Sequence, residues 1–514
     1  MRHLFKQISA STLILSSLIC ILYLATLNNA FTHNVFNKDD EGWFVTMGLN
    51  IVEFGTYSTD TFPTQEWGHH GTWPPVFPAI LAGIMALFGT SALPLKAAIT
   101  LMALVNLMLL LRLLTRMSSD ASSIATWTVV LTAASPVYFL FSHTVMTEIP
   151  FMLFCTATLL ALQKSESRSA AMVAGLFASL AFFTRGYAIL FLPTCVICFA
   201  SQRKRPVTQR VQLILAFSMP LLISAAIWWL YTRNVITNQK LDWITATFSN
   251  GTNLRDFSLN PIPYLKEVHW YHAPSLAELS LPAFYWNLQQ SPLIASITGC
   301  VIAALVFAGI WFSRNDGTKI VVSWTFLYTS FLIYSGMGNP RYWLTCFPFY
   351  LFFSLIALKH LASGLKLPPK TFTVVACLCL SVFVSGLANH LRNPDRLSYI
   401  SPYWRDFSTS MNWVREHLPQ DAILVSKHPH LSYYSGNRRS LMGPPDTAAD
   451  WPGTILRDES EIYVIVPTNL DGTRLENAAA QNVKPVPIWT YNYKYLKKHH
   501  QLENLAILKF DPEG

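Results

Sequence analysis

The sequence predicts an α-helical polytopic membrane protein with about 11 transmembrane helices and a small C-terminal α/β domain. Three observations favour this fold class. The 514 residues are 52% hydrophobic and 13% charged, with a mean hydropathy of +0.33, whereas soluble proteins average roughly 25% charged residues. Apolar runs long enough to cross a bilayer as helices recur up to about Leu387. After that point the composition becomes that of a soluble domain.

The first apolar run, from Ile8 to Leu27, follows Arg2 and Lys6, an arrangement that also occurs in secretory signals. The run is longer than the apolar region of about 7–15 residues in such signals, and small residues are poorly placed for cleavage. We therefore predict a retained helix whose N-terminus is cytoplasmic.

Basic residues in the short connections orient the later helices, because cytoplasmic loops of membrane proteins are enriched in Lys and Arg. These residues are Arg112, Arg116, Lys164, Arg168, the cations of 202–205, Arg314, Lys319 and the cations of 359–370. With them inside, spans are predicted near residues 11–27, 94–115, 121–141, 147–163, 169–184, 186–200, 211–231, 291–312, 319–336, 342–358 and 371–388. The apolar segment from Val76 to Phe88, about 13 residues, is too short to span and is predicted to re-enter the membrane or lie in its interface.

This topology divides the chain into a transmembrane domain, residues 1–388, and a C-terminal exoplasmic domain, residues 389–514. Two exoplasmic loops belong to the first domain: residues 28–93, which include the short apolar segment, and residues 232–290. In the C-terminal part, a helical pattern from Trp404 to His417 and β-rich apolar runs predict an α/β fold. The β-rich runs are residues 422–425, 462–466 and 505–510.

Charge and cysteine usage exclude several other classes. The formal net charge of +9 is explained by the cytoplasmic loops, since the cations are scattered and form no stripe that would fit nucleic acid. All eight cysteines lie in apolar stretches, so neither disulfides nor metal–thiolate sites are expected. His269 and His272 have a spacing that suits a metal ion, but no carboxylate pair flanks them, and no structural metal is predicted.

Polar residues that are distant in sequence are predicted to converge on the exoplasmic side. Asp40, Glu41 and Glu148 are carboxylates that can act as a general base for a hydroxyl or amine. A solvated acidic loop, and helix capping by Glu148, are the structural alternatives. Arg185 and Arg341 lie outside against the charge bias, and arginine can bind two phosphate oxygens with its planar donors. Snorkelling to lipid headgroups is the alternative for both.

One ordered set of motifs resembles a known superfamily. The set comprises Asp40-Glu41-Gly42-Trp43-Phe44, Gly55-Thr56-Tyr57-Ser58, Trp73-Pro74-Pro75 and Leu87-Phe88-Gly89. Over roughly residues 10 to 360 the chain resembles the GT-C superfamily of membrane glycosyltransferases. The similar branch includes protein O-mannosyltransferases and lipid A aminoarabinose transferases, which take sugars from polyprenyl phosphates. The chain departs from this branch at Trp73, where a Lys or His usually contacts the lipid phosphate, and His69 or His70 is a candidate to replace it.

The resemblance implies a GT-C type fold and assigns roles to particular residues. Asp40, in the catalytic loop 28–93, would be the catalytic base, with Glu41 and Glu148 as further catalytic candidates. The donor phosphate would be bound by Arg341, Tyr342, Arg185 and His70. The sugar or the acceptor would contact aromatic and histidine side chains, although a membrane-interface belt explains the last three equally well: Trp43, Trp73, His269, Trp270 and Tyr271.

The predicted function is that of an inverting glycosyltransferase. It would transfer a hexosyl or pentosyl group from a polyprenyl-phosphate donor to a lipid, polysaccharide or protein of the cell envelope. We predict a multi-pass location in a bacterial inner membrane, with the C-terminal domain periplasmic. No cofactor is assigned, and participation of a divalent cation is left open. A transporter or flippase for a lipid-linked saccharide is the alternative, which would favour inverted repeats, and a membrane scaffold is a third possibility.

Overall fold

A computed structural model describes most of the membrane region and part of the C-terminal region. The described residues are 21–23, 25, 39–57, 74–117, 122–235, 273–282, 291–313, 316–335, 339–368, 370–392, 414–419, 422–426, 440–442, 462–467, 496–502 and 505–510. The chain forms two compact units, one of residues 1–32 and 96–394, the other of residues 33–95 and 395–514. The predicted domain boundary between residues 388 and 389 stays a prediction.

Helices dominate the described chain. In chain order they are α1 (Asp39–Phe54), α2 (Val76–Phe88), α3 (Ala92–Thr115), α4 (Ser122–Ala134), α5 (Pro136–Ser142), α6 (Glu148–Gln163), α7 (Arg168–Phe182), α8 (Phe191–Ala200), α9 (Val207–Val235), α10 (Pro292–Phe312), α11 (Asp316–Tyr334), α12 (Pro340–Trp343), α13 (Phe347–Gly364) and α14 (Lys370–Arg392). A 3-10 helix, Gly186–Leu190, precedes α8. The predicted α-helical polytopic membrane class is confirmed.

Helices occupy every predicted span from 94–115 onwards, whereas most of the first span, 11–27, lies outside the described residues. Within the described ranges, five helices are long and apolar enough to cross a bilayer alone, namely α3, α9, α10, α13 and α14. The pair α4 and α5 makes a sixth if it is one broken span. The total of about 11 spans stays a prediction.

The predicted span 121–141 is two helices that meet at a bend of 66°. Pro136 is the first residue of α5, and Ser135 before it has an extended backbone, as a residue before proline prefers. Every residue of α5 is buried. This bend brings the chain through His143 and a short irregular segment to the start of α6.

Glycines allow close helix contacts in the larger unit. A Cβ on Gly175 in α7 would meet the carbonyl oxygen of Phe217 in α9, and one on Gly309 in α10 would meet that of Phe353 in α13. Small residues at such positions are typical of helix contacts in membranes. Large apolar side chains that remain exposed on α9 and α10 fit a lipid-facing surface: Leu215, Leu222, Ile227, Ile297, Val301 and Phe307.

The second unit contains α1, α2 and a sheet. The ring of Phe44 in α1 packs edge-on against Phe77 in α2, with centroids 5.0 Å apart. Helix α2 has 13 residues and ends at Gly89, whose φ of 81° favours glycine. Its predicted re-entrant or interfacial position stays a prediction.

The sheet has five strands in the order β2-β1-β3-β5-β4. They are β1 (Ile423–Ser426), β2 (Ser440–Met442), β3 (Ile462–Pro467), β4 (Leu496–Leu502) and β5 (Leu505–Phe510). β1 pairs in parallel with β2 and β3, whereas β5 pairs antiparallel with β3 and β4. Of the predicted helix 404–417, the described part is 414–417, and it is helical.

Candidate active site

The N-terminus of α6 presents a buried carboxyl group. Helix α6 begins at Glu148, and Pro150 is tolerated in its first turn because a backbone N–H is not needed there. An acidic residue at this end also complements the helix dipole. The Thr147 hydroxyl does not cap the helix. The Glu148 side chain is only 2% exposed, so it requires polar partners within the protein.

Arg185 supplies the closest partner. It lies in the turn between α7 and the 3-10 helix, with an extended backbone. Its Nη2 donates to Oε1 of Glu148 at 2.5 Å, and its Nε donates to Oγ1 of Thr147 at 2.7 Å. Two bonds from one planar guanidinium to adjacent residues fix the direction of the Glu148 side chain.

Arg341 approaches the same carboxyl group from α12. Asn339 caps this short helix by accepting a hydrogen bond from the Arg341 backbone N–H at 3.1 Å, and Pro340 is its first residue. The Arg341 Nε lies 3.9 Å from Oε1 of Glu148, and its Nη2 donates to the hydroxyl of Tyr342 at 2.7 Å. The longer distance makes this the weaker of the two contacts with Glu148.

The Tyr342 ring lies against both guanidinium groups. The Cζ atoms of Arg341 and Arg185 are 4.8 Å and 5.5 Å from its centroid, within the range of cation–π attraction. The hydroxyl of Tyr328 in α11 donates to the Tyr342 carbonyl at 3.2 Å and so ties α12 to α11. These contacts hold two cations around one carboxyl group.

The charge balance of this cluster favours a bound anion. Two guanidinium groups surround one carboxyl group, which leaves a surplus positive charge. Burial lowers the pKa of Arg185, but the neighbouring Glu148, Tyr187 and Tyr342 raise it by more in total, so the pKa lies above its ordinary value and the group stays charged. Oε2 of Glu148 is buried and has no hydrogen-bond partner within the described part of the chain. The cluster can therefore bind a phosphate at its arginines and a further donor at Oε2.

The structure thus brings together four predicted site residues, Glu148, Arg185, Arg341 and Tyr342, although their roles stay predictions. Glu41 is buried and Trp43 half-buried in α1, which belongs to the other unit. Asp40 lies in the first turn of α1, but its side chain is outside the described residues. The remaining predicted site residues also lie outside the described residues: His70, Trp73, His269, Trp270 and Tyr271.

Sequence reasoning missed a second buried polar cluster that includes His143 and Lys96. His143 follows α5, with Nδ1 2.9 Å from the Phe139 carbonyl oxygen and Nε2 3.2 Å from that of Tyr23. Burial lowers the pKa of His143, and the nearby Lys96 lowers it further. Lys96 is itself fully buried, and a lysine within an apolar run was the signal that could have identified it. The cluster anchors the N-terminal segment beside the chain that leads to Glu148.

Comparison with known proteins supports the resemblance seen in the motifs. Residues 72–229 match the family model described as dolichyl-phosphate-mannose-protein mannosyltransferase. A comparison with curated proteins finds no match to this chain.

Three solved structures are similar over most of the chain. ArnT from Cupriavidus metallidurans bound to undecaprenyl phosphate is 13% identical, with a TM-score of 0.58 and 98% of each chain covered. The Archaeoglobus fulgidus oligosaccharyltransferase in complex with Zn and sulfate is 12% identical, with a TM-score of 0.59, covering 95% of this chain and 71% of that one. Archaeal AglB from the same organism, with an inhibitory peptide and a dolichol-phosphate, is 13% identical, with a TM-score of 0.56 and coverages of 91% and 70%. The chain therefore has the fold of the GT-C membrane glycosyltransferases, the superfamily that its motifs resemble.

Proposed function

We propose that this protein is an inverting glycosyltransferase that takes a sugar from a polyprenyl-phosphate donor and transfers it to a cell-envelope acceptor. One observation carries the proposal: the buried Glu148 carboxyl group is held between Arg185 and Arg341, with surplus positive charge for a phosphate. The similar ArnT structure contains undecaprenyl phosphate, and the similar AglB structure contains a dolichol-phosphate. Both are lipid phosphates of the class that we propose here.

The geometry favours different tasks for the two arginines. Arg185 makes two short hydrogen bonds and is 14% exposed, whereas Arg341 lies farther from Glu148 and is 21% exposed. We therefore assign the donor phosphate chiefly to Arg341 with Tyr342, and His70 as an additional ligand. Arg185 would bind the phosphate only by releasing Glu148 or Thr147, so its main task is to orient Glu148.

The proposed reaction is a single displacement. Asp40 accepts the proton of an acceptor hydroxyl or amine, whose oxygen or nitrogen then forms a bond to the anomeric carbon of the sugar. The bond from that carbon to the phosphate oxygen breaks, and its electron pair leaves with the polyprenyl phosphate. Arg341 stabilises the charge that develops on this leaving group, which is the type of interaction that contributes most to many enzymatic rates. The configuration at the anomeric carbon is inverted.

The proposed setting is the exoplasmic face of a bacterial inner membrane. The support is the distribution of cations, which follow α3, α6 and α8 at the ends of those helices that lie away from the Glu148 end of α6. Cations on the cytoplasmic side place Glu148 on the other side. The N-terminus would then be cytoplasmic and residues 389–514 periplasmic.

The test is sugar release by the purified protein in lipid from a panel of radiolabelled polyprenyl-phosphate hexoses and pentoses, with crude envelope acceptors added. We expect release from one donor class by the wild type and a loss of at least about 100-fold in Asp40→Asn, the range typical of a lost general base. Retention of the donor lipid by Asp40→Asn shows that the variant is folded. Donor translocation without release from any donor would instead identify a transporter.

A further inference from the structure

A group of basic side chains lies at the far end of α6 from Glu148. Helix α6 has 16 residues, which corresponds to about 24 Å between its ends. The connections beyond this end contain Arg112 and Arg116 on α3, Lys164 after α6, Arg205 before α9 and Lys319 in α11. We call these five residues the basic patch.

Hydrogen bonds join the segments that carry the basic patch. Gln163 at the end of α6 donates from Nε2 to the carbonyl oxygen of Gly317 in α11 at 3.1 Å. Arg205 donates from Nη1 to the carbonyl oxygen of Ser165 at 3.1 Å. A Cβ on Gly317 would lie 3.5 Å from the carbonyl oxygen of Arg116, so the end of α3 contacts the start of α11. The patch is therefore assembled from several connections that the fold holds together.

The positive charges of the patch act on one another. Arg116 and Lys164 are exposed and Arg112 is half-buried. The pKa of Lys164 is lowered chiefly by Arg116, then by burial and by Arg112, and the pKa of Arg116 is lowered by burial and by Arg112. Among carboxyl groups that the structure describes, none forms an ion pair with these three cations. The arrangement carries repulsion that a bound anion would relieve.

Two ordinary explanations account for single cations but not for the group. Cytoplasmic loops are enriched in Lys and Arg, and Arg112 in the last turn of α3 complements the helix dipole. Neither effect requires cations of separate connections to be gathered. Arg203 and Lys204, in the same connection as Arg205, are exposed and illustrate the dispersed case.

Aromatic residues place the patch at the depth of the lipid headgroups. Trp311 and Phe312 end α10, and the next helix begins at residue 316 beside the patch. Trp311 is 66% exposed, and exposed tryptophan is enriched at the membrane–water interface. An anion that binds here would therefore meet an apolar surface directly below it.

We propose that the basic patch binds the phosphate of an anionic phospholipid headgroup. Basic pockets between transmembrane helices on the cytoplasmic side are suited to such lipids, and arginine binds phosphate oxygens in pairs. The bound lipid bridges the ends of α3, α6 and α11 and stabilises their packing. This site is independent of the proposed transferase chemistry.

The test compares two variants that each lose two positive charges. The full-length protein is titrated with phosphatidylglycerol and with phosphatidylcholine, and lipid retention is measured by native mass spectrometry together with the melting temperature. The wild type should retain phosphatidylglycerol preferentially. Arg116→Gln/Lys164→Gln should bind it about 25-fold more weakly, at roughly fivefold per charge, whereas Arg203→Gln/Lys204→Gln should change binding by less than about twofold.

Further arms keep the result decisive. Arg116→Lys/Lys164→Arg preserves the charge and should retain phosphatidylglycerol, and it replaces the Gln variant if that protein fails to fold. Equal losses in the two Gln variants, or equal retention of both lipids by the wild type, would overturn the proposal. The proposal also fails if inorganic phosphate alone gives the full thermal stabilisation and phosphatidylglycerol adds nothing.

Discussion

At the scale of single residues, Glu148 decides whether the candidate site is stable. A charge that is removed from water is costly unless a partner compensates it, and removing one partner of a buried pair costs about 3–5 kcal/mol. Arg185 provides that partner at 2.5 Å and is itself mostly buried. The pair therefore explains how a carboxyl group can remain at the N-terminus of α6 with one oxygen available for a ligand.

The coupling of this pair can be measured with a double-mutant cycle of Glu148→Gln, Arg185→Gln and the combined variant. Each single change should lower the thermal stability in detergent markedly, because it leaves a buried polar group without its partner. The combined change should cost less than the sum, with a coupling of roughly 1–3 kcal/mol.

Thr147→Val serves as the control for the cycle, because it removes only the bond from Nε of Arg185 and should cost about 1 kcal/mol. Strictly additive single effects would show that the 2.5 Å contact does not contribute to stability.

Several of these residues could be identified from the sequence, because an ionisable group within an apolar chain is costly and therefore conspicuous. That reasoning singled out Glu148, Arg185 and Arg341. It gave Thr147 no task, since threonine hydroxyls in membrane helices commonly bond to the carbonyl four residues earlier, as Thr128 and Thr156 do here. Only the three-dimensional arrangement shows that Thr147 instead accepts from Arg185.

At the scale of elements, close helix packing sets the positions of the site residues. Helix α13 follows Arg341 almost directly in the chain, and it packs against α10 at Gly309. Displacement of α13 would therefore also displace α12, which carries Arg341 and Tyr342.

Gly309→Ala tests this packing. The new Cβ would collide with the backbone carbonyl of Phe353, and such overpacking typically costs about 1–3 kcal/mol. We expect a lower melting temperature of the purified protein.

Gly83→Ala in α2 is the matched control, because a Cβ there meets nothing within 4 Å. It should leave stability unchanged or raise it by about 0.5–1 kcal/mol, since alanine favours helices. Equal melting temperatures for the two variants would contradict the tight contact between α10 and α13.

Element positions in the membrane region were largely predictable, because long apolar runs have few alternatives to helix in a bilayer. The break between α4 and α5 was not predicted, although Ser135-Pro136 carried the signal: the residue before a proline avoids helical geometry. Hydropathy averages over such a break, so the span 121–141 was predicted as one helix.

At the scale of the whole molecule, the sheet shows where sequence patterns lose information. The apolar runs predicted β1, β3 and β5, which are the three inner strands of the order β2-β1-β3-β5-β4. Both strands that were not predicted, β2 and β4, are edge strands. β2 has only three residues, and β4 contains Lys497, Lys498, His499 and His500, as expected of an edge that must resist pairing with other chains.

The central claim for the molecule is that the cluster around Glu148 is the site for the donor phosphate. Its most direct test is Arg341→Ala, measured both for competition by unlabelled polyprenyl phosphate and for sugar release from the active donor. Arg168→Ala is the control, since this exposed arginine bonds only to Gln212 among the described contacts. Loss of a charged hydrogen-bond donor costs about 1.5–3 kcal/mol, so we predict roughly 10- to 100-fold weaker lipid-phosphate binding and at least as large a loss of release. A folded Arg341→Ala protein that binds and turns over like the control would contradict the account.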